Sequence, residues 1–247
     1  MEAAWRWPTG ATLVMLRGAS QVSEDAVDTA IQRKNMVESQ VRPSDVTDRR
    51  IIRAMLDLKR EDFVPARVRG LAYIDGPVSL ASGEGAAGRS MLSARVFAKM
   101  AQAADIDPSA VVLDVGAATG YSSAVLAQLA ERVVALESDP TLLGLAKATL
   151  GAHSAGNVQI VEGDLASGWA PEGPYDAILV EGGVEVVAPE LLDQLKDGGR
   201  LVAIVAHGSS GRATVWRRDG ASFGSADVFD ATADVLPGFA KVRSFAF

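Results

Sequence analysis

The chain has 247 residues, with 48% hydrophobic and 22% charged side chains, 24 Gly, 10 Pro, two His and no Cys. That length suits one large or two small domains with enough apolar material for a core, and the missing cysteine excludes a disulfide scaffold, a thiolate zinc site, an iron–sulfur cluster and a cysteine nucleophile. With 24 basic against 31 acidic residues the net charge is −7, which argues against a general nucleic-acid binder. His153 and His207 leave little scope for a metal site, and none is expected. No apolar run reaches the length of a membrane span and the start does not read as a signal peptide, so a soluble, cytoplasmic protein is expected.

Residues 1–35 read as a poorly ordered extension, with a docking arm as the functional alternative. Val27, Ala30 and Ile31 offer no more than a short amphipathic turn. A single domain is expected over 36–247, divided into N-terminal helices and an acceptor-side loop (36–109), a core (110–206) and C-terminal strands (207–247). Thr47 or Asp48 caps a helix that carries Ile51, Ile52, Met55 and Leu56 on one face. Phe63-Val64-Pro65 closes that unit. Ser79–Arg89, rich in Gly, Ala and Ser, reads as a flexible loop, and Ser90–Ala104 as a helix.

From Ala110 short apolar strands alternate with helices: Val111–Leu113, helix Tyr121–Ala130, Val133–Leu136, helix Pro140–Leu150, Val158–Val161, Ala177–Val180, a helix around Pro189–Leu195, and Leu201–Val205. Uniformly apolar strands between helices predict a parallel sheet covered on both faces. Ala213–Arg217, Ser222–Phe229 and Val242–Phe247 read as strands without helices between them, which predicts an antiparallel edge. The expected class is α/β, a Rossmann-like, mostly parallel sheet with an antiparallel C-terminal edge and an N-terminal helical addition.

The chemistry gathers where the first core strand ends. Asp114-Val115-Gly116-Ala117-Ala118-Thr119-Gly120-Tyr121 joins strand to helix, and glycine there lets the backbone turn tightly beside a ligand. The spacing fits a dinucleotide fingerprint poorly, and Tyr121 after Gly120 excludes a P-loop. Glu137 ends the next strand, where a carboxylate can accept from ribose hydroxyls. Asp164, after the third strand, can accept from an adenine amine. Asp114 suits an amine-bearing ligand, and S-adenosyl-L-methionine offers an amino-acid end, a sulfonium and a ribose. A tight turn with solvated acids is the bland alternative.

Asp114–Leu126 resembles the first motif of class I S-adenosylmethionine-dependent methyltransferases. More narrowly, Met36-Val37, Gln40, Phe63-Val64-Pro65, Ala72-Tyr73, Gly120-Tyr121, Asn157-Val158, Gly163-Asp164, Tyr175-Asp176 and Leu191–Leu201 make the chain similar to the protein-L-isoaspartate O-methyltransferase family. That resemblance implies methyl transfer to an isoaspartyl carboxylate of damaged protein, with S-adenosyl-L-methionine as cofactor and S-adenosyl-L-homocysteine as product. It implies Gly116, Gly120 and Glu137 as cofactor contacts and Asp164 as an adenine contact; Asp114, Ala117, Tyr121, Ser138 and Leu165 complete the expected cofactor-binding set.

Two departures lie on the acceptor side. Where the family carries Gln-Thr-Ile-Ser-Gln-Pro, this chain has Arg89-Ser90-Met91-Leu92-Ser93-Ala94, so Leu92 stands on the serine position, and the preceding loop is longer around Ala81–Gly85. Where the family has roughly Val-Thr-Ala-Ala, this chain has Val180-Glu181-Gly182-Gly183. Ser90 and Glu181 are the catalytic candidates: Ser90 as a hydrogen-bond donor to a carboxylate or else a helix cap, Glu181 as a selector of a different acceptor or else a solvated loop acid. Ser93 reads as a helix cap and His207 as an exposed loop residue. A carboxylate acceptor is already ionised at neutral pH and needs no general base. The acceptor is a protein or peptide carboxylate, or a small molecule. The other readings are a same-fold methyltransferase with another acceptor and a cofactor-binding protein without turnover.

Overall fold

The computed structural model describes residues 28–80, 88–153 and 155–241. Helix α1 runs over 28–36 and widens into a π turn at Val37–Val41. The boundary expected at residue 35 therefore falls inside a helix. Ala30 and Ile31 face outward there; the hold comes from Met36, Val37 and Val41, buried in the core, and from Arg33, whose Nε donates to the Leu56 carbonyl at 2.7 Å. The rest of the expected extension, 1–27, lies outside the described residues.

Helix α2 (Arg49–Asp57) starts where expected: Asp48 accepts the Arg50 N–H at 2.8 Å, and Ile51, Ile52 and Met55 are buried. Short 3-10 turns at Arg60–Phe63 and Ala66–Leu71 follow. Strands β1 (Val78–Ser79) and β2 (Ser90–Met91) then pair antiparallel, Val78 with Met91 and Ser79 with Ser90, and helix α3 spans Ala94–Ala104. Ser79, at the start of the loop expected at 79–89, is thus strand-paired with Ser90 just past its end, its centre at 81–87 lying outside the described residues, and the helix expected from Ser90 begins four residues later. The cause is a pairing across that centre, in which Leu80 N–H donates to the Arg89 carbonyl at 2.9 Å.

The core alternates β3 (Val111–Val115), α4 (Tyr121–Leu126), β4 (Arg132–Glu137), α5 (Pro140–Ala152), β5 (Val158–Glu162), β6 (Tyr175–Val184), α6 (Pro189–Leu192) and β7 (Leu195–His207). Strands β8 (Ser210–Asp219) and β9 (Ser222–Asp230) complete one sheet in the order β5-β4-β3-β6-β7-β8-β9. The first five strands in that order run parallel, and β8 and β9 add antiparallel. This is the doubly wound class with the antiparallel edge that the sequence predicts; the third tail strand, Val242–Phe247, lies outside the described residues. Asp139 caps α5 through the Thr141 and Leu142 N–H groups, with Pro140 in the first turn.

Alternate side chains serve opposite faces of the sheet. Val112, Val133, Ala177, Leu179, Val202 and Ile204 pack under helices α1 to α5. Leu113, Val115, Val134, Leu136, Ile178 and Val180 pack on the other side with Leu191, Leu236 and Phe239. Those last two belong to a segment, residues 231–241, that follows β9 back over the carboxyl edge. It is tied down by Gly183 N–H donating to the Asp234 carbonyl at 2.8 Å and Leu236 N–H donating to the Gly183 carbonyl at 2.9 Å. Among the described residues no helix is long and apolar enough to cross a membrane.

Candidate active site

Three acids reach the carboxyl edge of the sheet on one face. Asp114 pairs in register with Ala135 on β4 and Leu179 on β6. Glu137 and Glu181 lie two residues further along those strands, so all three project to the same side. Strand order reverses at β3, which has β4 on one side and β6 on the other; sheets of this kind hold their ligands at that crevice.

The glycine turn rises directly from β3. Gly116 and Ala117 N–H both donate to the Leu136 carbonyl, at 2.9 and 3.1 Å. Gly116 (φ +79°) and Gly120 (φ +93°) occupy the left-handed region that costs glycine little. Gly120 is also crowded: a Cβ there would lie 2.9 Å from Leu150 Cγ on α5. Thr119 Oγ1 donates to the Phe63 carbonyl at 2.6 Å, and the Phe63 ring meets Tyr121 edge-on at 5.5 Å. The Phe63-Val64-Pro65 unit is thereby docked behind the turn.

Asp114 is fully buried. Its Oδ2 accepts Ser122 Oγ at 2.7 Å and Ser123 Oγ at 2.5 Å, while Oδ1 has no partner. Burial pushes this carboxyl up to about 6 against the pull of the two serine hydroxyls, and the Glu137 charge pushes the same way as burial.

The sequence assigns Glu137 to ribose hydroxyls, and in the structure its oxygens are already taken. Arg89 Nη1 and Nη2 donate to Oε1 and Oε2 at 2.7 Å each, in a bidentate pair with neither side chain more than 5% exposed. Ala118, Ser138 and Asp139 N–H groups complete the set at 2.8, 2.8 and 2.9 Å. Arg89 Nη2 also reaches the Gly116 carbonyl at 3.2 Å.

Glu181 is in strand β6 and 8% exposed, not a solvated loop acid, because β6 continues through Gly182 and Gly183 to Val184. Its Oε1 has no partner. Burial raises its carboxyl well above the usual range, the Asp114 charge adds to that, and Arg60 opposes it. Arg60 itself carries no motif signal; it is one charge in a charged stretch. It is 1% exposed, donates from Nε to the Ala72 carbonyl at 2.8 Å and from Nη2 to the Leu92 carbonyl at 2.6 Å, and lies 4.7 Å over the Tyr121 ring. Burial lowers its pKa, with Tyr121 and Glu181 among the opposing groups. Among the described residues five buried side-chain atoms lack a hydrogen-bond partner, and four of them belong to Arg60, Asp114, Tyr121 and Glu181.

These groups surround or adjoin a cavity of about 20 Å³, room for one water molecule, lined by Arg60, Ser90, Leu92, Glu181, Gly116, Ala117 and Tyr121 among others. It meets a pocket of about 210 Å³ lined by Pro77, Ser90, Leu92, Glu181, Gly182, Thr232, Asp234 and Leu236. Ser90 sits in β2 and its Oγ faces Asp234 Oδ2 at 3.4 Å, so it caps no helix; Ser93 occupies the cap position of α3 without a side-chain bond to it. Ser138 and Asp164 lie along the same edge after β4 and β5. Asp164 is exposed and accepts the Ser167 N–H at 2.8 Å, and Leu165 is buried in the opposite face. His207 is exposed and lines a different groove with Arg95 and Arg212.

Comparison with known proteins matches the chain to one family. The family model described as protein-L-isoaspartate (D-aspartate) O-methyltransferase matches residues 31–230. A protein-L-isoaspartate O-methyltransferase 1 of Rhodopseudomonas palustris is 38% identical over 78% of this chain and 77% of its own length. A protein-L-isoaspartate O-methyltransferase of Opitutus terrae is 36% identical over 84% and 88%. In fold, a Plasmodium falciparum chain of the same description, solved in complex with S-adenosyl-L-homocysteine, superposes with a TM-score of 0.70 over 83% of this chain and 97% of its own, at 18% identity. The chain belongs to the protein-L-isoaspartate (D-aspartate) O-methyltransferase family.

Proposed function

We propose that this protein is an S-adenosyl-L-methionine-dependent O-methyltransferase that esterifies the isoaspartyl carboxylate of damaged protein. The observation that carries the reading is the set of unpartnered polar atoms at the glycine turn: Arg60 Nη1, Asp114 Oδ1 and Tyr121 OH. Buried polar groups are normally paired, and an unpaired one costs free energy unless a ligand meets it. The set combines a cation and a carboxylate, which fits the carboxylate and ammonium of an amino-acid end. Gly116, Ala117, Gly120 and Tyr121 supply the turn, with Ser138, Asp164 and Leu165 along the edge for the nucleoside; Glu137 contacts ribose on this reading once Arg89 has moved aside.

The cofactor supplies an electrophilic methyl group on a sulfonium. The chain's own work is to orient the acceptor and exclude water. The acceptor carboxylate is ionised at neutral pH, so no residue here has to remove a proton. Leu92 and Leu236 supply apolar lining at the junction. Calorimetry with S-adenosyl-L-homocysteine followed by transfer of labelled methyl to an isoaspartyl peptide is the test. Saturable binding and base-labile label on the isoaspartyl but not the aspartyl peptide is expected. Binding with label only on another acceptor would reject the acceptor, and no binding would reject the reading as a whole.

A further inference from the structure

Ser90, Leu92 and Glu181 line both the small cavity at the glycine turn and the larger pocket that opens from it. On the reading above, this junction is where the acceptor meets the methyl donor. Leu92 has no polar side-chain atom, and the Ser90 hydroxyl is turned to Asp234. Glu181 alone of the three presents a buried side-chain atom with no partner. Its backbone is fixed on both sides, by β6 before it and by the Gly183 bonds to Asp234 and Leu236 after it. We propose that Glu181 is the group that grips the acceptor carboxylate, donating a hydrogen bond to the oxygen that is not methylated and filling the place that Leu92 leaves apolar.

A protonated buried acid is a hydrogen-bond donor, whereas an ionised one would repel the acceptor. The groups facing Glu181 decide which form it takes. Burial comes first, then the Asp114 carboxyl from β3; both keep the proton on, and the Arg60 guanidinium works against them. Tyr121 on α4 and Asp234 on the C-terminal segment complete the lining of the two chambers. With one acceptor oxygen held, a lone pair of the other forms the new bond to the methyl carbon as the carbon–sulfur bond breaks and its electron pair stays on sulfur. Glu181 keeps its proton throughout.

The experiment measures kcat/KM for an isoaspartyl peptide from about pH 6 to about pH 9 in wild type, Glu181→Ala and Glu181→Gln, with S-adenosyl-L-homocysteine affinity by calorimetry as the control for folding. Wild-type activity should fall roughly tenfold per pH unit once Glu181 ionises. Glu181→Ala should lose about 10²-fold, the usual cost of one positioned donor, with ligand affinity retained. Glu181→Gln, a donor at every pH, should recover most of that loss and remove the alkaline fall. A glutamine variant as inactive as the alanine one, or one that keeps the alkaline fall, overturns the role of Glu181 while the wild-type turnover still upholds the reading it rests on. A wild-type protein that binds the ligand but esterifies no isoaspartyl peptide overturns both.

Discussion

Glu137 and Glu181 stand at the same edge of the sheet, on the same face, one strand to either side of β3, and are in opposite conditions. Glu137 accepts two bonds from Arg89 and three from backbone N–H groups. Glu181 keeps an oxygen with no partner. Burial thus yields a fully bonded group in one case and a chemically open one in the other, and the difference lies in what the neighbouring chain delivers. Arg89 and a fan of N–H groups meet Glu137 at the end of β4; beside Glu181 the strand runs on through two glycines, and Leu92 and Leu236 line the pocket.

The comparison is broken most forcefully at Arg89. Arg89→Ala leaves Glu137 buried without its counter-ion and should cost about 3–5 kcal/mol, lowering Tm by roughly 6–20 °C. A melt within a degree or two of wild type would mean that the backbone N–H groups suffice. Asp114, held by two serines yet still raised, lies between the extremes. Its folded value of about 6 exceeds the ordinary carboxylate value, so the folded state binds the proton more tightly. The stability this contributes is present below about pH 4 and is lost as pH rises to about 6, an effect of about 3 kcal/mol. Asp114→Asn should therefore gain on wild type by that amount across the interval in urea unfolding; parallel pH profiles would contradict the assignment. The smallest effect belongs to exposed pairs: Glu38→Ala, which breaks the half-exposed bond to Arg42 at 3.0 Å, should change unfolding free energy by less than about 0.5 kcal/mol.

Part of the Glu137–Glu181 comparison is legible in the sequence. The sequence places Asp114 in the first core strand and Glu137 at the end of the next, but the register that sets them on one face with Glu181 belongs to the sheet. The partners are not legible. Arg89 and Glu137 are 48 residues apart, and a long-range ion pair imposes no spacing on the chain. Ser90 and Met91 read as the start of a helix because nothing local reveals their pairing with Val78 and Ser79. Glu181-Gly182-Gly183 reads as a turn because glycine usually ends strands, whereas here β6 runs on as a strand that the returning C-terminal segment covers. Arg60 hides in a charged stretch whose neighbours are solvated or paired elsewhere.

Gly182 and Gly183 also connect distant parts of the chain. Neither has a left-handed backbone, so neither is demanded by the turn of the chain. What demands them is room: a Cβ on Gly182 would lie 2.6 Å from Leu236 Cγ, and one on Gly183 would lie 2.6 Å from the Ala233 carbonyl oxygen. A methyl group at 182 would therefore compete with the seat of Leu236, and one at 183 with the backbone of the returning segment. An alanine at 182 belongs with a smaller side chain at 236.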